Sequence, residues 1–472
     1  MYCRLKREYE LRGWKLLSTG VIDHRDGSFR FLPLGLYRTL RLCDGTLHER
    51  NPFLTPEQRR QLRELESYGL IERVERQSPL EPRQNYKRYG NRFIHGAHWA
   101  LTGRCNLRCR HCYMSAPHAM YSVLPLEKCF DIIDQLAECG VRQLILSGGE
   151  ALVRQDFLKI VDRIIERGMH IQALMSNGLL VNEKLLDEFE ARGIRPEINM
   201  SYDGVDGCHD WMRGVDGAER AVLRAFALCL ARGFPTGTEY CLHRGNIKAL
   251  RPSVKRLAEF GLRSFKVNPL SPVGEGEVIR DNALSIAEIY ETLLEYIPQY
   301  YADGAPIDLH LAGFFSAFRP AYYRIGCCKM PETIPSDDKC LCAHARNVMY
   351  ITSEGRMLPC IPIAYTPIAD EFPTFDEATL EETLTDSRYM KFADSKGRDY
   401  FRHRADCDQC RFRNRCGGGC RGQAIAYEMI NGKSLDEWAR DPYRCTFFRG
   451  GYYDRLQRLM SDLHIEQIEW ER

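Results

Sequence analysis

No stretch of this chain approaches the ~18 consecutive apolar residues of a membrane-spanning helix. The N-terminus, Met1-Tyr-Cys-Arg-Leu-Lys-Arg-Glu8, has no apolar core of a secretory signal. Charge of one sign is missing too. Sixty-six Lys and Arg stand against 64 Asp and Glu, a net charge of +2, so nothing argues for a nucleic-acid partner or an anionic membrane surface. These absences lead us to expect a cytoplasmic protein with neither nucleic acid nor membrane as partner. At 44% hydrophobic and 28% charged the chain is globular, and its 472 residues allow two or three domains.

Cysteine, by contrast, is abundant: twenty residues, three of them at 105–112 and ten more between 327 and 445. A reducing compartment disfavours disulfides, so this many thiols argue for metal. Cys105, Cys109 and Cys112 are spaced C-x3-C-x2-C within Leu101–Tyr113. Thiolates this close can hold one cubic iron–sulfur cluster from a single loop, leaving its fourth iron open to a reactant. Chance gives this spacing about 0.04 times in such a chain, so alone it does not decide. A zinc site needs a fourth ligand, and His111 could supply it only by crowding Cys112.

Residues 1–95 read as a small separate domain. Tyr9–Leu17 and Val21–Leu32 read as strands, with Ser18-Thr-Gly20 between them and a break at the hairpin dipeptide Asp26-Gly27. Leu36–Cys43 has helical spacing and stops at Asp44-Gly45. Thr55, Pro56 and Gln58 form the signature of a capped helix, with Leu62, Leu65 and Tyr68 on its inner face and Gly69 as its stop. Leu70–Glu75 reads as a short strand, and Arg83–Arg92 as a linker.

From 96 to about 320 one unit repeats: strand, loop, amphipathic helix, glycine. The stops are Gly140, Gly168, Gly193, Gly233 and Gly261. The strands read His98–Thr102, Gln143–Ser147, Ile171–Met175, Glu197–Ser201, Thr236–Cys241 and Ser264–Asn268. Six such units predict an α/β fold with a parallel sheet, either an open doubly wound sheet or a partial barrel. If a barrel, its chemistry gathers at the C-terminal strand ends. There stand the cysteine loop, Ser147-Gly148-Gly149-Glu150, Ser176-Asn177, and Asn199 with Ser201.

From 321 to 472 the cysteines return. Cys342 is followed by Gly355 and Cys360, then by Cys407-x2-Cys410-x5-Cys416-x3-Cys420, and finally by Cys445. The inner four-cysteine spacing arises by chance about 0.002 times in this composition. A zinc ribbon would leave Cys342, Cys360 and Cys445 unexplained. Tyr452–Leu463 reads as a closing helix.

These motifs together resemble the radical S-adenosylmethionine (radical SAM) enzymes that carry a C-terminal SPASM extension. The resemblance decides for a partial (β/α)6 TIM-like barrel over 96–320, with an iron–sulfur SPASM domain over 321–472. It implies S-adenosylmethionine as cofactor and three [4Fe-4S] clusters. Cys105, Cys109 and Cys112 would hold the SAM-binding cluster. Cys342, Cys360 and Cys420 would hold an inner auxiliary cluster, with Cys327, Cys328, Cys340 or substrate as fourth ligand. Cys407, Cys410, Cys416 and Cys445 would hold an outer one. Gly148, Gly149 and Glu150 resemble the family's glycine-glycine-glutamate motif for the SAM amino group; Ala151 replaces the usual proline after it. Ser176, Asn177, Asn199 and Ser201 are implied at the SAM ribose or carboxylate, with Lys266 and Asn268 as weaker candidates. His111 stands where the family often has an aromatic residue, giving it an adenine-stacking role. The β-hairpin and helices of 1–95, with Cys43-Asp-Gly-Thr46, resemble the winged-helix-like element that binds precursor peptides.

The whole then resembles a maturase of ribosomally made peptides, an oxidoreductase with a precursor peptide as substrate and a flavodoxin or ferredoxin as electron donor. A thioether cross-link is the favoured product. The rivals are carbon–carbon cross-linking, epimerisation with Cys241 as hydrogen donor, modification of a small molecule or porphyrin, and plain electron carriage. Ile361 follows Cys360 where sulfatase-activating relatives have aspartate, which counts against that activity.

Overall fold

The computed structural model describes residues 1–118, 122–319, 322–326, 336–433 and 436–468. The N-terminal part holds two small sheets. Strands β1 (Tyr2–Leu5), β2 (Tyr9–Lys15), β3 (Leu17–Asp23), β4 (Phe29–Phe31), β5 (Asp44–His48), β6 (Ile71–Val74) and β7 (Lys87–Arg92) form the orders β5-β1-β6 and β4-β3-β2-β7. Helices α1 (Leu34–Arg41) and α2 (Pro56–Ser67) pack beside them. The capping box is formed: Gln58 N–H donates to Thr55 Oγ1 at 3.1 Å, and Thr55 N–H to Gln58 Oε1 at 2.9 Å.

Three local expectations are corrected. The β2–β3 turn falls at Leu16, whose φ is 67°, and Ser18–Gly20 lies inside β3. Gly20 pairs there with Arg12 and Phe31, and the position takes glycine because a Cβ would sit 2.8 Å from Trp14 Cζ3. Tyr68 is 49% exposed, while Leu62 and Leu65 are buried, because it sits past the last turn of α2 and its hydroxyl donates to Glu64. Residues 87–92 are a strand, not a linker: β7 pairs with β2 in parallel.

The junction with the next segment is packed. Trp14 Nε1 and Asn91 Nδ2 both donate to the Cys139 carbonyl, at 3.1 and 3.0 Å. Gly140 follows with φ 87°, and a Cβ there would meet Tyr89 and Trp14 at 2.7 and 2.8 Å. Gln143 donates to the Asp26 carbonyl at 2.9 Å. The N-terminal sheets therefore dock at the N-terminal edge of the barrel strands, away from the strand ends where chemistry gathers.

Six parallel strands follow in sequence order: β8 (Gly96–Ala100), β9 (Gln143–Ser147), β10 (His170–Ser176), β11 (Glu197–Ser201), β12 (Thr236–Leu242) and β13 (Ser264–Pro269). Between them run α3 (Leu126–Glu138), α4 (Phe157–Glu166), α5 (Glu183–Ala191), α6 (Cys208–Arg213), α7 (Ala218–Ala231) and α8 (Leu250–Glu259). All five stop glycines take positive φ, from 69 to 90°. On α4 the residues Phe157, Ile160, Val161 and Ile164 form one buried stripe, each contributing about 1.5–3 kcal/mol of burial.

The sheet runs on past these six. Strand β14 (Asp308–Leu311) joins β13 in parallel after α9 (Ile286–Ala302), followed by antiparallel β15 (Phe315–Phe318) and β16 (Tyr322–Arg324). At the other edge β17 (Val348–Ile351) joins β8 in parallel, and β18 (Met357–Leu358) follows it. With β19 (Glu466–Gln467) against β16, twelve strands make one open, mostly parallel sheet, the wall of a partial barrel. The barrel strands alternate: Ile198 and Met200 are buried against helices while Glu197, Asn199 and Ser201 take the opposite, partly open face.

Candidate active site

The cysteine loop leaves the C-terminal end of β8. Backbone N–H groups of Leu107 and Ala116 donate to Cys105 Sγ and Cys112 Sγ, each at 3.4 Å. Asn177 Nδ2 donates to Cys105 Sγ at 3.8 Å, and Arg213 Nη1 to Cys109 Sγ at 3.7 Å. Burial, with the Cys109 and Cys112 charges adding to it, pushes the Cys105 thiol up to about 11, so the three thiols act on one another. Donors aimed at sulfur suit thiolates, and a bound metal would remove these protons. Among the described residues no three His, Cys, Asp or Glu side chains close on a single-ion site.

The glycine pair lies directly against this loop. Gly149 N–H donates to the Thr102 carbonyl at 2.7 Å, and Glu150 N–H to the Arg104 carbonyl at 2.9 Å. A Cβ at Gly149 would lie 2.3 Å from Arg104 O, so only glycine lets the two loops touch. Glu150 is fully buried. Burial pushes its pKa up, and N–H groups of Asn177 and Leu152 with the Ser176 hydroxyl partly offset this. Their distances are 2.8, 3.2 and 3.1 Å. Thus Ser176 and the Asn177 backbone first serve to aim Glu150. Asn177 Nδ2 also bridges to Asn106 Oδ1 at 2.7 Å. Among the described residues Asn199 Oδ1 is buried without a hydrogen-bond partner, and Ser201 is half-buried at the end of β11. His111 lies near Arg213, Asp203, His243 and His209, and burial pushes its pKa down to about 4.

The later cysteines form two groups. The charges of Cys420 and Cys342 both bear on Cys360, whose thiol burial raises far above its usual value. A Cβ at Gly422 would come within 2.5 Å of Cys360 Sγ, so the helix Arg421–Ile430 begins hard against this group. Cys407, Cys410, Cys416 and Cys445 line a separate cavity together with Tyr400, Phe401, Phe412 and Phe448. Tyr400 Oη lies 3.4 Å from Cys407 Sγ. Four thiols around an aromatic-walled cavity fit a group held by sulfur. Cys340 is half-buried, and its backbone forms an isolated antiparallel β-bridge with Lys396. Cys327 and Cys328 lie outside the described residues.

Comparison with known proteins places this arrangement. Residues 99–257, from β8 through most of α8, match the model of the radical SAM superfamily. The chain carries a radical SAM domain. This radical SAM enzyme is 28% identical over 328 residues to PqqA peptide cyclase of Granulibacter bethesdensis, covering 69% of this chain and 82% of that protein. It is 26% identical over 375 residues to Fe-coproporphyrin III synthase of Methanosarcina barkeri, covering 75% and 89%. Its fold is similar to that of SuiB from Streptococcus suis, solved with S-adenosylmethionine (TM-score 0.61, 16% identity, 93% and 99% covered) and with the precursor peptide SuiA (0.58, 14%, 93% and 99%).

The barrel face of the enzyme adds residues that motif reading misses. Ser201, Glu239, Lys266 and His310 are side-by-side partners on β11 to β14, forming one row across the inner face. Lys266 Nζ donates to Glu239 Oε1 at 2.9 Å, and Asn268 Nδ2 to Glu239 Oε2 at 3.2 Å. Lys266 is half exposed, so solvent reaches this row. Across the barrel His98 Nε2 lies 2.7 Å from Ser147 Oγ, and removal from water pushes its pKa down to about 4. Cys241 ends the inner face of β12 beside Asn268. Burial raises its pKa, which keeps the thiol protonated.

Proposed function

We propose that this enzyme is a peptide maturase that removes a hydrogen from a ribosomally made precursor peptide and closes an intramolecular thioether. The observation that carries the reading is the division of seven C-terminal cysteines into two groups, beyond a glycine-glycine-glutamate loop packed on the first three. Residues 96–320 are the radical SAM barrel, 321–472 the SPASM domain, and 1–95 the precursor-recognition domain. Cys105, Cys109 and Cys112 hold the SAM-binding [4Fe-4S] cluster. Cys342, Cys360 and Cys420 hold the inner auxiliary cluster, and Cys407, Cys410, Cys416 and Cys445 the outer one. When bound, the first cluster with S-adenosylmethionine supplies reductive carbon–sulfur cleavage and a 5′-deoxyadenosyl radical.

The chain's own residues do the rest. Glu150, fixed by three donors, receives an ammonium. Asn199 offers its carbonyl oxygen, unpaired among the described residues, and Ser176, Asn177 and Ser201 complete the same wall. A peptide entering the barrel meets Glu239 and Lys266. The kinship with a peptide cyclase, and the likeness to a protein solved with its precursor peptide, support a peptide substrate. The thioether preference takes a substrate sulfur as the fourth ligand of the inner cluster, with Cys327, Cys328 and Cys340 as the alternatives. A flavodoxin or ferredoxin supplies the electron.

The likeness to Fe-coproporphyrin III synthase favours a second reading, a porphyrin substrate. Anaerobic co-expression with the short peptide encoded beside the gene separates the two. Loss of two mass units, with one cysteine protected from alkylation, supports the thioether. Gain of one deuterium in deuterated water, without mass loss, makes the enzyme an epimerase and Cys241 its hydrogen donor. An unchanged peptide beside a modified porphyrin overturns the peptide reading.

A further inference from the structure

The short helix α6 ends against the cysteine loop. Arg110 N–H donates to the Met212 carbonyl, and Arg110 Nε to the Trp211 carbonyl, both at 2.9 Å. Gly214 follows with φ 70°, and a Cβ there would lie 2.7 Å from Arg108 O. This contact delivers Arg213, 7% exposed, to the loop. Its Nη1 donates to Cys109 Sγ at 3.7 Å while its other nitrogens donate to Asp203 Oδ2 at 2.7 Å. Asp203 is fully buried, and its Oδ1 accepts the Cys241 N–H at 3.0 Å. Burial opposes ionisation of Asp203, but the Arg213 guanidinium outweighs it and, with His209, holds the carboxyl well below the usual range. A line of contacts thus runs from Cys109 through Arg213 and Asp203 to the end of β12.

A buried ion pair is a poor device for stability alone, since apolar residues of similar volume often serve as well. Its charge is another matter. Arginine cannot give up its proton, so a permanent cation sits beside one sulfur of the loop. Among the described residues the groups that donate to Cys105 and Cys112 are neutral amides. Reduction adds negative charge to a cluster, and a cationic donor to its sulfur stabilises the reduced form more than the oxidised one.

We infer that Arg213 is a positioning residue that raises the reduction potential of the cluster held by Cys105, Cys109 and Cys112, with Asp203 as the counter-charge that limits the rise. This rests on the reading of that loop as a cluster site. The test is an anaerobic redox titration of the full-length reconstituted enzyme, followed by the electron-paramagnetic-resonance signal that changes on adding S-adenosylmethionine. In Arg213→Met the reduced-to-oxidised ratio at fixed potential falls about tenfold, a downward shift of about 59 mV for one electron. Arg213→Lys restores most of it. Asp203→Asn shifts the same signal upward, and signals that ignore S-adenosylmethionine do not move. A purely structural staple predicts no such opposition of sign. A retained cluster at wild-type potential in Arg213→Met overturns the inference, as do shifts in the same direction for Arg213→Met and Asp203→Asn. If Arg213→Met loses the cluster, Asp203→Asn decides, and an unmoved potential there overturns it. A wild-type enzyme without any S-adenosylmethionine-responsive signal overturns the cluster reading itself.

Discussion

Adding one methyl group at Gly149 tests whether the glycine pair exists to bring the two loops together. Its Cβ would stand 2.3 Å from Arg104 O, 2.7 Å from Arg104 C and 3.1 Å from Cys105 Cβ, where ordinary contact begins at 3.4 Å. Two of these neighbours are backbone, so no side chain can swing aside. Relief requires the loops to part, which stretches Gly149 N–H to Thr102 O and Glu150 N–H to Arg104 O. Overpacking costs about 1–3 kcal/mol and each of the two weakened hydrogen bonds about 0.5–1.5, so Gly149→Ala costs about 2–6 kcal/mol locally. The cost falls on the cysteine loop and the carboxylate of Glu150. We expect low iron after reconstitution and at least a tenfold loss of 5′-deoxyadenosine formation from S-adenosylmethionine. Gly168→Ala is the control: its φ is 71°, but among the described residues nothing lies within 4 Å of the added Cβ. It should lose about 1 kcal/mol of stability and keep both readouts. Full iron and wild-type cleavage in Gly149→Ala would refute the packing argument.

Cys407→Ala or Cys445→Ala removes one of the four thiols that line the aromatic-walled cavity and, on the proposed outer cluster, should lower the iron content while S-adenosylmethionine cleavage persists; iron assay and product chromatography check this. Trp14→Ala empties a buried site between the N-terminal sheets and the barrel, costing about 3–5 kcal/mol in denaturant unfolding with iron content unchanged. His98 titrates in the folded state near pH 4 against about 6.5 when unfolded, so the unfolded chain binds the extra proton between those values. Stability should therefore fall as pH drops from 6.5 to 4, and His98→Gln should flatten part of that fall in anaerobic thermal melts.

The strand–helix repeat was legible because its signals are local. A helix that ends at Gly193 or Gly233 announces itself within a few residues, and Gln143–Ser147 and Glu197–Ser201 fall where the pattern puts them. What escaped is pairing across distance. Lys87–Arg92 looks like a polar linker until β2 lies beside it, and Val348–Ile351 gives no hint that it will extend the barrel through β8, far earlier in the chain. The edges of a sheet are fixed by partners, and short strands at edges carry little pattern of their own. The hairpin tip at Leu16 was lost to a stronger turn signal, Ser18–Gly20, because the need for glycine there comes from Trp14 and not from a turn.

For the site, cysteine spacing identified the thiols within each loop, while the grouping of Cys342 and Cys360 with Cys420 came only from resemblance. A second signal was present and went unread. Parallel strands covered by helices on both faces are apolar throughout. Here Glu197-Ile-Asn-Met-Ser201 and Ser264-Phe-Lys-Val-Asn268 alternate instead, as strands with one wet face do. In a parallel sheet that alternation has one physical meaning: the inner face is open to water or ligand. A carboxylate such as Glu239 costs several kcal/mol in a dry interior and little beside Lys266 in a solvated one. On the proposed function, the row from Ser201 to His310 is the barrel wall that the substrate would meet.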